Sequence, residues 1–141
     1  YALGNGLSGR YSIRYGIDRM VVAGSVAGIA GMGMSLILPL AGWSNPWLFF
    51  GFCTFMGLGN GMIMPNATAG LLSVRPHLAG TASGLGGAIM IAGGAVISAL
   101  TGLVLHVDTG TLPLQAIMLA GLVLALASIL MVMRRTRRLG L

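Results

Sequence analysis

Apolar residues gather along this chain in four long runs, at 20–40, 47–72, 80–105 and 113–133, and no acidic or basic side chain falls inside any of them. Each run has roughly the 20 residues a helix needs to cross a bilayer core about 30 Å thick. The pattern predicts an all-α fold, a polytopic bundle of membrane-crossing helices. The polar breaks between the runs carry a second pattern. Arg10, Arg14 and Arg19 precede the first run, and the connector 41–46 has no charge. Arg75 and His77 follow the second run, His106 and Asp108 follow the third, and Arg134, Arg135, Arg137 and Arg138 follow the fourth. Lys and Arg concentrate in cytoplasmic connectors, so the basic breaks are expected inside and the weakly charged ones outside. That ordering makes 134–141 a basic cytoplasmic tail.

Composition narrows the class further. Charged residues are 7% of the chain and apolar ones 56%, with a mean hydropathy of +0.93. Soluble domains carry about 25% charge. The net charge of +6 would point to nucleic acid in a soluble protein. Here the arginines flank spans, where they set orientation and meet anionic headgroups. The basic tail has no interleaved aromatics, so no nucleic-acid partner is expected. Cys53, in the middle of a run, is the single cysteine, which leaves no disulfide framework or cysteine metal cluster. The chain starts at Tyr1 and shows no signal peptide. Residues 1–8 read as the cytoplasmic end of a helix whose body lies upstream, which makes the chain a C-terminal fragment.

Seventeen of the 24 glycines lie inside the runs rather than in linkers. Helices in lipid associate by close packing, which small residues permit. In the third run Gly80, Gly84, Gly87, Gly94, Ser98 and Thr101 or Gly102 recur at helical spacing and form one small-residue face. This face is either ordinary helix packing or a sliding contact between two halves of a moving protein. The second run differs. Gly57, Gly59 and Gly61 weaken its middle, and Pro65 removes a helical hydrogen bond, so a kink is expected at Pro65 in an interrupted helix. Met56, Asn60 and Met64, spaced by four, share a face. Asn60 either bonds a neighbouring helix or lines a substrate cavity, and the methionines suit varied apolar ligands. The first and last runs hold few interior polar residues and read as peripheral, lipid-facing helices.

Catalytic chemistry is absent from this inventory. Asp18 and Asp108 are the only acids, both flanking spans, and no nucleophile elbow, ligand cluster or phosphate loop is present. Gly84, Gly86 and Gly87 lie in an apolar helix with no preceding strand or lysine, so they are no nucleotide loop. No enzyme, metal or cofactor is expected. Ion and proton pathways in membranes use ionisable groups, and with none in the runs a proton-carrying carboxylate must come from elsewhere. The lack of any glutamate also excludes a self-contained small multidrug pump.

Two stretches carry a resemblance. Residues 4–10 (GNGLSGR), with Arg14, Gly16 and Arg19, resemble the signature loop of the major facilitator superfamily in its second copy, between the eighth and ninth helices. Residues 57–61 (GLGNG), Pro65-Asn66-Ala67 and 80–84 (GTASG) resemble the tenth and eleventh helices of the drug:proton antiporters of the bicyclomycin/chloramphenicol-resistance type. The likeness covers nearly the whole chain, from the end of helix eight through helix twelve. It implies a bacterial inner-membrane protein in which two six-helix halves rock about a midplane site. The absent N-terminal half would supply the proton-coupling acids. Helix ten would line the cavity, helices nine and twelve would lie outside, and helix eleven would pack on the other half. By the same likeness Gly9, Arg10, Arg14, Gly16, Asp18 and Arg19, in a cytoplasmic loop at 9–19, would act as a latch, although simple topology anchoring explains the arginines equally. The implied partners are the bilayer, the missing half, protons and a small-molecule substrate. Proton-driven efflux of drugs or small amphipathic compounds is the leading reading. Transport of a metabolite such as a sugar or organic acid, and a non-transporting truncated module, are the alternatives.

Overall fold

The computed structural model describes residues 1–40, 42, 45–74, 76–105 and 112–139, and every regular element among them is helical. Five helices follow in order: α1 (Ala2–Tyr15), α2 (Ile17–Leu40), α3 (Pro46–Ser73), α4 (Ala79–Val104) and α5 (Leu112–Leu139). A short 3-10 turn, Pro76–Leu78, leads into α4. Arg75, His106 and Asp108, whose polarity enters the topology expectation, lie outside the described residues. Among the described residues, three helices are long and apolar enough to cross a membrane: Ile17–Leu38, Pro76–Val104 and Leu112–Arg138. The chain is therefore an all-helical bundle compatible with a multi-pass membrane protein. The fourth expected span, α3, has the length at 28 residues, about 42 Å at helical rise. No acidic or basic side chain interrupts it between Trp47 and Leu72.

Local chemistry accounts for the boundaries. α1 stops where Gly16 takes φ +88°, ψ 153°, a left-handed φ that L side chains rarely adopt, while its N–H closes the helix on the Ser12 carbonyl at 2.9 Å. α3 opens with Pro46 at its first position, where no helical donor is needed, and the Asn45 side chain accepts from the Trp47 N–H at 3.0 Å. The loop expected at 9–19 is not a loop. Residues 9–15 are the last turns of α1, residues 17–19 begin α2, and Gly16 alone joins them. The arginines of this stretch therefore project from helical turns.

The core corrects a second expectation. α2, read from its sequence as a peripheral helix, is the most enclosed of the long helices, packing chiefly on α3 and then on α5. Met20, Val21, Ser25, Met32 and Ser35 are buried along it. The cause is a small-residue stripe at Gly24, Gly28 and Gly31, continued by Ser35, at spacings of three and four. A Cβ on Gly24 would lie 2.7 Å from the Gly59 carbonyl oxygen. One on Gly28 would press on the Leu122 side chain at 3.0 Å, and one on Gly31 would collide with Phe55. One stripe thus seats α3 and α5 together.

α3 is held from both sides by its own glycines. Gly59 lies against the backbone of Gly24 in α2, and Gly61 lies against Tyr1 and Asn5 at the start of α1. Gly4 returns the contact, meeting the Leu58 carbonyl. These are approaches of backbone to backbone that any side chain would block. The interruption expected in this helix does not occur: α3 runs unbroken through Pro65. Beside the proline, Asn66 Nδ2 donates to the Met62 carbonyl at 2.7 Å and Thr68 Oγ1 to the Met64 carbonyl at 2.9 Å. Neither reaches the Gly61 carbonyl, four residues before the proline, which is the one that Pro65 leaves without its helical donor.

Candidate functional site

Asn60 occupies the middle of α3 and lines an open groove of about 720 Å³ between α3, α4 and α5. Met56 lies one turn before it on the same wall. α4 contributes Ile97, Ser98 and Thr101, and α5 contributes Met118 and its neighbours. The Thr101 hydroxyl is committed to the Ile97 carbonyl at 2.7 Å. The Asn60 amide makes no hydrogen bond among the described residues. Among the described residues no acidic or basic side chain lines the groove. It runs from the middle of α3 toward the α4–α5 connector, away from the arginine-bearing end of α5. Met64, expected on the same face as Met56 and Asn60, is not in its wall and is 38% exposed.

The other candidates sit elsewhere. Gly9 faces open space, Arg10, Arg14 and Arg19 are exposed, and the Arg14 guanidinium rests 5.7 Å from the centre of the Tyr15 ring. Asp18 is half-buried in the first turn of α2, where the helix N-terminus favours a carboxylate. It borders a second groove of about 580 Å³ between α2, α3 and α5, together with Asn66, Ser128 and Thr136. Gly80, Gly84, Gly87 and Gly94 meet nothing within 4 Å of where a Cβ would stand. Residues 88–100 are all exposed, so among the described residues the glycines of the α4 stripe from Gly80 to Gly94 pack on no other helix, while Ser98 and Thr101 at its far end line the groove. Gly86 is the one glycine of α4's first half in contact, with Leu71. Among the described residues no three His, Cys, Asp or Glu side chains gather to hold a metal ion.

Two buried polar pairs were not foreseen. Asn66 Nδ2 donates to Ser8 Oγ at 2.6 Å, tying α1 to α3, and both residues are buried. Gln115 Nε2 donates to Ser35 Oγ at 3.3 Å, tying α5 to α2, and among the described residues the buried Gln115 Oε1 has no partner. The members are 58 and 80 residues apart, so no local spacing could have joined them. No family model, curated protein or solved structure matches the chain.

Proposed function

We propose that this chain is the C-terminal part of a secondary transporter of the major facilitator type, from the end of its eighth helix through its twelfth. Its parent moves small amphipathic compounds outward across the bacterial inner membrane at the expense of the proton gradient. The observation that carries the reading is the groove beside Asn60: a charge-free, methionine-bearing cleft at mid-length of α3, walled by two helices that can each cross a membrane. Transporter sites sit near the bilayer midplane, and this groove lies at that depth beside what would be the tenth helix, within the one half that the chain supplies. The open glycine face of α4 supports a second body of helices, since small residues there permit a close approach that nothing in this chain uses. The cargo is bound and carried without being chemically changed. The absent half supplies the proton-carrying acids, and the basic ends of the spans, with the tail, face the cytoplasm.

The test is flux. Alone in liposomes under an imposed proton gradient, the 141-residue chain is expected to give no saturable movement of drug, because its spans hold no acidic or basic group. Joined to the reading frame upstream of Tyr1, it is expected to give saturable, gradient-dependent efflux. Flux from the chain alone would contradict the proposal, as would an upstream frame that encodes no apolar spans.

A further inference from the structure

We propose that the groove between α3, α4 and α5 selects uncharged, largely apolar molecules that carry one hydrogen-bonding group, and discriminates against organic ions of the same shape. This rests on the reading of the groove as a ligand site and adds the class of ligand it takes. Its volume of about 720 Å³ falls within the about 300–1,000 Å³ typical of sites for drug-sized molecules. The walls are alkyl and thioether surface from Met56, Ile63, Ile97, Ile117 and Met118, which adapts to ligand shape without demanding a fixed one. A charged ligand entering it would shed water and find no counter-charge, a cost that buried ions bear unless paired.

Three polar side chains line the wall, Asn60 on α3 and Ser98 and Thr101 on α4, and of these the Asn60 amide is the largest. It offers both a donor and an acceptor, and among the described residues neither is used. A ligand hydroxyl or carbonyl placed there satisfies it, and a pure hydrocarbon leaves it unpaired. The Thr101 hydroxyl has already given its proton to the Ile97 carbonyl, so it can only accept. The predicted ligand is therefore a compact neutral alcohol, ketone or amide with an apolar body. A lipid acyl chain fits the apolar walls but gains nothing from Asn60.

Three matched probes separate these cases: naphthalenemethanol, methylnaphthalene and the naphthylmethyl-trimethylammonium ion. Each is titrated fluorimetrically against the chain in lipid nanodiscs, with empty nanodiscs subtracted. The alcohol is expected to bind saturably, and at least about ten-fold more tightly than the cation; that factor corresponds to about 1.4 kcal/mol. Asn60→Leu should remove the advantage of the alcohol over methylnaphthalene. Asn60→Asp, of nearly the same shape, should raise affinity for the cation about ten-fold. Equal binding of alcohol and cation would overturn the proposal, and so would an alcohol preference that survives Asn60→Leu, since another group such as the Ser98 hydroxyl would then hold the ligand. Absence of saturable binding would remove the site itself. Selective binding without flux from the joined two-half protein would defeat the transport reading and leave the ligand class standing. Flux with equal affinities would do the reverse.

Discussion

Gly59→Leu and Gly61→Leu are expected to release α3 from the helices on either side of it, and each should prevent the bundle from assembling. Even a single Cβ at these positions meets backbone, from Gly24 at one and from Tyr1 and Asn5 at the other. Backbone cannot rotate away as the end of a side chain can, so the helices must separate along their length. Overpacking in a well-fitted core costs about 1–3 kcal/mol and at times more, and a leucine against backbone belongs at or beyond the upper end. Thermal unfolding of the purified protein in detergent should show the loss as a large fall in midpoint or as failure to recover folded protein. Gly84→Leu and Gly87→Leu are the controls. Nothing lies within 4 Å of either position in this chain, so its stability should not change. In the joined transporter the same two substitutions should lower efflux while the protein still reaches the membrane. Equal destabilisation by all four leucines would show that the α4 face is packed as closely as the α3 glycines and would contradict the account.

The second large effect is expected at Asn66. Its amide bonds both Ser8 Oγ and the Met62 carbonyl, inside a contact where both side chains are buried. Asn66→Ala removes both bonds and leaves the Ser8 hydroxyl facing a void. Interhelical hydrogen bonds in membrane bundles contribute about 0.6 kcal/mol on average and up to about 2, and a stranded buried partner adds about 1–3 kcal/mol. A loss of about 2 kcal/mol is expected for Asn66→Ala and about 1 kcal/mol for Ser8→Ala. The double variant should lose less than the sum, because the pair is then removed as a unit. Strict additivity in that cycle would mean that α1 is held on α3 by the Gly4 and Gly61 contact alone.

How far the sequence led depends on which signal is local. The absence of charge from 20–40, 80–105 and 113–133 is enough to place three long apolar helices, because helix length and hydropathy are properties of contiguous residues. The partners of those helices are not. Gly80, Gly84, Gly87 and Gly94 form the more conspicuous stripe, yet Gly24, Gly28 and Gly31 make the contacts, since spacing marks a smooth face without saying what covers it. The same limit explains α2. Its scarcity of polar residues reads as lipid-facing, but a helix packed by glycine against helix needs no polar residues to be central. Gly57, Gly59 and Gly61 read as weakness in α3, and their use is the close approach of α1 and α2. Met56 and Asn60 were placed correctly on one face by their spacing, and the groove brings Ser98 and Thr101 to meet them. Met64, one turn further, falls outside because the wall ends. Pro65 was expected to interrupt its helix, and α3 runs unbroken through it.

The account stands on a bundle that crosses the membrane with its arginines on one side. In a Cys53→Ala background, single cysteines at Ser44, Ser73, Thr109 and Thr136 can be exposed to an impermeant maleimide in intact cells. Ser44 and Thr109 lie in the connectors without basic residues, whereas Ser73 and Thr136 lie beside Arg75 and in the arginine-rich end of α5. Labelling at Ser44→Cys and Thr109→Cys is expected at once, with Ser73→Cys and Thr136→Cys protected until the membrane is permeabilised. Labelling at Ser73→Cys and Thr136→Cys in intact cells, or equal labelling at all four positions, would contradict the account.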